Sequence, residues 1–74
     1  MTKDEALALQ PGDNIEVVNP ADGTVTDYVV TTIKIRTEVH DDVWLVLGVN
    51  DHSGLALDMP FLATRSNVHV MPKP

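Results

Sequence analysis

Between Thr24 and Met59 apolar and polar residues alternate with a period of two, which is the pattern of half-buried β-strands. The alternation predicts three consecutive strands with the sequences TVTDYVVTTIKIRTEV, VWLVLGVN and LALDM. Residues of one parity are predicted to face inward: Val29, Ile33, Ile35, Val39, Val43, Leu45, Leu47, Val49, Leu55, Leu57 and Met59. The outward face is predicted to carry Tyr28, Val30, Lys34, Arg36, Trp44 and Val46, beside Gly48 and Ala56.

Two polar connections join these strands into hairpins. A turn over residues 40–42 lets Val39 pair with Val43, and the loop over residues 50–54 lets Val49 pair with Leu55. Both registers keep the aliphatic residues on one face, whereas a slip of one residue would turn them all outward. We therefore predict these two registers, with Pro60 ending the third strand.

The flanking segments add a helix and two short strands. Thr2 and Glu5 fit a capping box, so residues 1–10 are predicted to hold a short helix that packs Leu7 and Leu9 on the sheet. A strand is predicted over Ile15–Val18, with Ile15 and Val17 inward. A helical turn over residues 61–67 precedes a last strand at 68–71, and residues 72–74 are predicted to fray.

The segment Leu9-Gln10-Pro11-Gly12-Asp13 leads into the first strand, two tight hairpins follow, and a helical turn precedes the last strand. This arrangement resembles the SH3-like β-barrel superfamily, in topology and over nearly the whole chain. The resemblance implies an all-β domain over residues 1–74, a five-stranded SH3-like small barrel with a short N-terminal helical segment. It also implies a binding module, since such barrels are mostly adaptors, nucleic-acid binders or subunits, although fold alone does not fix function.

Composition narrows the class of protein. The chain has 74 residues, no cysteine and a formal net charge of −6, so its stability must come from aliphatic packing in one domain. No apolar run approaches the roughly 20 residues of a membrane span, and the start Met-Thr-Lys-Asp-Glu does not have the pattern of a signal peptide. We expect a cytoplasmic protein. The acidic balance opposes non-specific binding of nucleic acid, which depends on neutralising phosphates.

Side chains with catalytic or metal-binding chemistry do not converge in the sequence. The clusters His40-Asp41-Asp42 and Asp51-His52 fall in successive hairpin loops, at opposite ends of one strand, whereas a metal needs three or four converging ligands. Ser53 and His52 are neighbours in a loop, and the glycines are isolated, so neither a nucleophile–base pair nor a phosphate loop is predicted. We expect no enzyme activity, catalytic residue, metal, cofactor or small-molecule substrate.

Trp44 is the most informative single residue, because an outward indole either is covered by the chain itself or contacts a partner. Arg36, the Leu7–Leu9 segment and Phe61 are the candidate covers. If it contacts a partner, the partner-binding residues are Trp44, Arg36, Tyr28, Val30 and Val46, since Trp, Tyr and Arg dominate interface hot spots.

Three functions fit this face. The first is a protein-interaction module, including self-association, such as an accessory protein of a virus or mobile element or an assembly subunit. The second is a nucleic-acid-binding barrel that uses Lys34, Arg36 and Tyr28, an aromatic and basic set, although the net charge opposes it. The third is an acidic decoy that occupies the basic nucleic-acid-binding surface of another protein.

Overall fold

A computed structural model describes residues 1–71 and consists mainly of one antiparallel sheet. The elements are α1 (Lys3–Ala8), β1 (Asn14–Val18), β2 (Val25–Val39), β3 (Asp42–Asn50), β4 (Ala56–Leu62), a 3-10 turn (Ala63–Arg65) and β5 (Val68–Val70). The all-β class is confirmed. The strand order is β4-β3-β2-β1-β5, and within residues 1–71 no pairing joins β4 to β5, so closure into a barrel stays a prediction. The predicted fraying of residues 72–74 lies outside the described residues.

The helix α1 begins with the predicted capping box. Thr2 Oγ1 accepts a hydrogen bond from the Glu5 N–H at 3.1 Å, and Glu5 Oε1 accepts one from the Thr2 N–H at 2.9 Å. Six residues are too few for a stable isolated helix, so tertiary packing must hold it. Ala6 and Leu9 are fully buried in the core, whereas Leu7, which was predicted to pack on the sheet, is exposed.

The inward face of β3 forms the centre of the core, as the alternation predicts. Val43, Leu45, Leu47 and Val49 are all buried, and Ile15 from β1 is buried with them. The strand β1 lies between β2 and β5, where Ile15 pairs with Tyr28 on one side and with Val70 on the other. The first and the last strand of the described chain are therefore neighbours in the sheet.

The register of the first hairpin differs from the prediction by one residue. Val39 pairs with Asp42 and not with Val43, because the turn consists of only His40 and Asp41. His40 has a φ of 55°, the left-handed conformation that such a tight turn requires. As a result Arg36 pairs with Leu45 on the inner side of the sheet.

Two β-bulges in β2 then change its face twice: the first restores Ile33 to its predicted inward face, and the second inverts the residues before Thr32. The register shifts between Ile33 and Ile35 and between Val30 and Thr32, and each shift adds one residue to β2. Val30, predicted outward, is 1% exposed in the core, whereas Ile35, predicted inward, is 44% exposed. Val29 and Val39, also predicted inward, are exposed as well. The single parity assigned to β2 is therefore wrong at both ends of the strand.

The bulges also explain the glycine at position 48. A Cβ on Gly48 would lie 2.6 Å from Thr32 Cγ2, which is closer than such atoms pack, and 3.3 Å from Thr31 Oγ1, which is a tight contact. Gly48 pairs with Thr32 next to a bulge, so the outer surface of β3 has no room for a side chain there. Glycine is needed at this position for space and not for its backbone conformation.

The strand β4 keeps its predicted parity but not its predicted register or end, and Leu55 and Leu57, which were predicted inward, are exposed. Leu57, Met59 and Phe61 pair with Val49, Leu47 and Leu45, a shift of two residues that leaves the same parity inward. The strand continues through Pro60 to Leu62, so the prediction that Pro60 ends the pairing is wrong. Because β4 is an edge strand, a residue without an N–H is tolerated within it.

Candidate functional site

The outward surface of three adjacent strands carries a continuous set of apolar side chains. Ile35, Val46 and Pro60 form one cross-strand row, and Trp44 with Leu62 and Thr37 forms the next. Val39 follows in the row beyond. We call this set the outer-face patch, and its members are Ile35, Val39, Trp44, Val46, Pro60 and Leu62.

Trp44 faces outward, as the alternation of β3 predicts, and is 36% exposed. Two of its candidate covers lie elsewhere. Phe61 pairs with Leu45 on the inner face, and Leu9 is buried in the core. The indole therefore shares its face with Val46, Leu62 and the other members of the outer-face patch.

Arg36, predicted to stand beside Trp44, lies on the opposite side of the sheet. Its Nη1 donates to the carbonyl oxygen of Leu9 at 2.6 Å and is 3.4 Å from the carbonyl oxygen of Ala6. The last carbonyls of a helix have no hydrogen-bond partner within the helix, so a guanidinium at that end can donate to them. Its positive charge also interacts favourably with the negative, C-terminal end of the helix dipole. Arg36 therefore fastens α1 to the sheet, and the outward orientation predicted for it is wrong.

Tyr28 and Val30 also belong to the inner face. Tyr28 pairs with Ile15 and is partly buried against the core, and Val30 pairs with Val49. Their predicted outward orientation is wrong because β2 changes face at the bulge between Val30 and Thr32. Of the five residues predicted to bind a partner, the structure brings Trp44 and Val46 together on one face.

Lys34 remains on the outer surface and has a local partner. Its Nζ lies 2.6 Å from Asp58 Oδ1, across the strand that contains Gly48. Lys34, Arg36 and Tyr28, the set considered for nucleic acid, are therefore not brought together: one pairs with Asp58, one binds the end of α1, and one packs on the core.

A small pocket lies at the end of the outer-face patch, between the β2–β3 turn and the 3-10 turn. Its volume is about 130 Å³, and its lining residues are Val39, His40, Asp41, Asp42, Leu62, Thr64 and Arg65. Val39 and Leu62 belong to both the pocket and the outer-face patch. The pocket therefore adjoins the row that contains Trp44.

Asp42 is the buried charged residue of this pocket, with a side chain that is 7% exposed. Its Oδ1 accepts hydrogen bonds from the N–H of Thr64 at 2.9 Å and from that of Val43 at 2.7 Å. The bond from Thr64 is the main reason that the pKa of Asp42 lies below its ordinary value, so the carboxylate is anionic at neutral pH. Sequence reasoning assigned Asp42 to turn chemistry, and nothing in the sequence links it to Thr64, which lies 22 positions further on.

The second oxygen of this carboxylate, Oδ2, is buried and accepts no hydrogen bond from any residue in the range 1–71. Arg65 is a neighbouring cation, whose Nε lies 3.8 Å away and whose side chain is 80% exposed. At that distance the two charges attract but do not form a hydrogen bond. Asp42 is thus only partly neutralised by its own chain.

The two clusters of ligand-type side chains lie at opposite ends of β3, as the hairpin order predicts. Asp51 Oδ1 accepts bonds from Ser53 N–H, Ser53 Oγ and Leu55 N–H, so its role is to shape the β3–β4 loop. His52 Nε2 lies 3.9 Å from Asp27 Oδ2 at the surface. In the described part of the chain, no three such side chains converge as a metal ion would require.

The helical segments among residues 1–71 lack the length and hydropathy needed to span a membrane. No protein-family model, curated protein or solved structure matches the chain significantly. The function of the outer-face patch and its pocket is therefore inferred from their geometry.

Proposed function

We propose that this chain is a non-enzymatic protein-interaction module, a small SH3-like barrel that binds a protein partner through its outer-face patch. One observation carries the proposal: Trp44 and Val46 lie with Ile35, Pro60 and Leu62 on three adjacent strands. A contiguous exposed apolar patch is characteristic of protein-interaction surfaces, and tryptophan is among the residues most enriched at their energetic centres.

Charge favours a protein partner over nucleic acid. The net charge is −6, and two cations of β2 are engaged within the chain, Lys34 with Asp58 and Arg36 with the end of α1. Arg65 lines the adjoining pocket and faces Asp42, and the net acidic balance opposes the neutralisation of phosphates on which nucleic-acid binding depends. A partner with a basic rim would be attracted to this surface, and the attraction would weaken with salt.

The experiment compares Trp44→Ala with Val25→Ala as baits. Val25 is also exposed and outward, but it pairs with Val18 near the start of β2, away from the patch. The protein captured by wild type is purified, and its affinity for each variant is measured by calorimetry. We expect Trp44→Ala to weaken binding by at least about 2 kcal/mol, as hot-spot truncations do, and Val25→Ala to leave it unchanged.

Thermal unfolding of each bait separates binding from folding. Trp44→Ala should melt within a few degrees of wild type, because its indole lies outside the core. If this variant unfolds the domain, Trp44 supports the fold and the interface proposal fails. Equal affinities of the two variants would also refute it. Sedimentation of the free protein tests whether the captured partner is a second copy of this chain.

A further inference from the structure

We propose that the pocket beside the outer-face patch receives an arginine side chain of the partner, whose guanidinium pairs with the buried carboxylate of Asp42. This inference rests on the proposed function and specifies the chemistry of the partner. An apolar group would lie on Trp44, and an arginine a short distance along the same segment would enter the pocket.

The hydrogen bonding of Asp42 is the first support. A carboxylate offers about four acceptor positions, and a buried acceptor without a hydrogen bond is unfavourable. Two N–H groups saturate Oδ1, while Oδ2 receives none from residues 1–71. Oδ2 faces Arg65, which also lines the pocket. An unsatisfied buried anion on a pocket wall is a group to which an incoming donor cation would bind.

The character of the pocket is the second support. Arg65 Nε lies 3.8 Å from Asp42 Oδ2, and the Arg65 side chain is 80% exposed. Its guanidinium therefore lies beside the carboxylate without a close hydrogen bond. Such an exposed contact is weak and can be displaced at little cost. Asp41 adds a second acid to the rim. Guanidinium is more weakly hydrated than an ammonium ion, which favours arginine over lysine beside a buried carboxylate.

The walls and size of the pocket fit the rest of an arginine side chain. Val39 and Leu62 give the site two apolar walls, which suit the methylene groups that arginine buries while its charged end is paired. A volume of about 130 Å³ admits one side-chain end but not a drug-sized or nucleotide ligand, whose sites are several times larger. Leu62 lines the pocket and pairs with Trp44, so one partner segment can contact the indole and also enter the pocket.

The test uses a small probe, so that it does not depend on knowing the partner. N-acetyl-arginine methylamide is titrated into the ¹⁵N-labelled protein, with the citrulline analogue as a neutral control of the same shape. We expect saturable shifts of the Thr64 and Val43 amide signals with arginine and none with citrulline. Asp42→Asn should weaken the arginine titration about tenfold or more, since it removes the charge-assisted bond.

Two further variants make the test specific. Asp42→Asn keeps a carbonyl oxygen that can accept from the Thr64 N–H, so the fold should persist, and thermal unfolding checks this. Arg65→Gln removes the internal competitor, so it should strengthen binding of the probe. If the pocket instead needs Arg65, this variant would weaken binding, and the proposed displacement would be wrong.

The outcomes separate this inference from the proposed function. Equal shifts with arginine and citrulline, or shifts that persist in Asp42→Asn, would overturn the arginine pocket. If a captured partner is lost by Trp44→Ala but bound equally well by Asp42→Asn, the interaction face stands and the arginine pocket fails. If the probe binds through Asp42 while Trp44→Ala leaves partner affinity unchanged, the pocket stands and the outer-face patch fails.

Discussion

Replacing Gly48 with alanine tests the bulged register of β2 directly. The new Cβ would lie 2.6 Å from Thr32 Cγ2, well inside van der Waals contact, and 3.3 Å from Thr31 Oγ1. Thr32 is β-branched and cannot move its methyl group aside without leaving its preferred rotamer. Backbone or side chain must therefore shift, and we expect the variant to fold with reduced stability.

The magnitude follows from two opposing effects. Overpacking of this kind costs about 1–3 kcal/mol. Replacing glycine also reduces the conformational entropy of the unfolded chain, which stabilises the fold by about 0.4–1 kcal/mol. The net loss is then about 1.3 kcal/mol from the centres of the two ranges, which together allow up to about 2.6 kcal/mol. For a domain of 74 residues, each kcal/mol lowers the Tm by about 4–8 °C.

Thermal unfolding followed by circular dichroism measures this loss of stability. A double-mutant cycle then tests whether the loss comes from the contact with the Thr32 methyl group. Thr32→Ser removes the clashing Cγ2 methyl, so in the Gly48→Ala background it should recover about 1 kcal/mol of stability. Thr31→Ser is the matched control, because serine retains the Oγ that approaches Gly48 and should give no recovery. A Gly48→Ala variant that melts at or above the wild-type Tm would refute the packing described for the bulges. Equal recovery by the two serine variants would refute the role of the Thr32 methyl.

Two other predictions concern α1 and acid. Arg36→Met should lower the free energy of unfolding by about 1–2 kcal/mol, because it leaves helix carbonyls without their charged donor, and should speed amide exchange in α1. Lys34→Met, which breaks only an exposed ion pair, should cost about 0.5 kcal/mol or less in the same urea titration. Hydrogen bonds from N–H groups or hydroxyls hold the pKa below its ordinary value at Glu5, Asp22, Asp42 and Asp51. Depressed carboxyl pKa values stabilise the fold fully above the unfolded pKa of about 4, and the effect is lost as pH falls through the folded values. Urea midpoints should therefore be level above about pH 5.5 and fall below about pH 4, and a midpoint that rises on acidification would contradict this.

The sequence was sufficient to predict the elements and the core of β3 but not the faces of β2. In β3 one parity is wholly aliphatic while the other contains Trp44, Val46 and Gly48, so Val43, Leu45, Leu47 and Val49 could be assigned inward. In β2 nearly every residue from Tyr28 to Val39 is β-branched, aromatic or long, so both parities contain apolar side chains. Alternation cannot locate a bulge in such a strand: the bulge between Val30 and Thr32 places Val30 inward, whereas the two-residue turn places Ile35 outward.

Only the part of the candidate site that lies on β3 could be predicted from the sequence. Trp44 and Val46 lie on the regular strand β3, and their outward orientation followed from its alternation. Arg36 lies in the part of β2 whose register is set by the β2–β3 turn, and the sequence does not show that this turn has two residues and not three, so its side of the sheet could not be predicted. Asp42 depends on a hydrogen bond to Thr64 from a distant turn, and only tertiary structure places the two residues in contact.

The pairing of β1 with β5 has a consequence for how the chain folds. The strands β2, β3 and β4 are linked by short turns, so their contacts close small loops, whereas Ile15 can meet Val70 only after nearly the whole chain is in place. We therefore expect β5, which has only three residues, to join last and to detach first. Whenever it detaches, β1 becomes an open strand edge to which another chain could hydrogen-bond, so folding intermediates of this domain would be most prone to aggregate there.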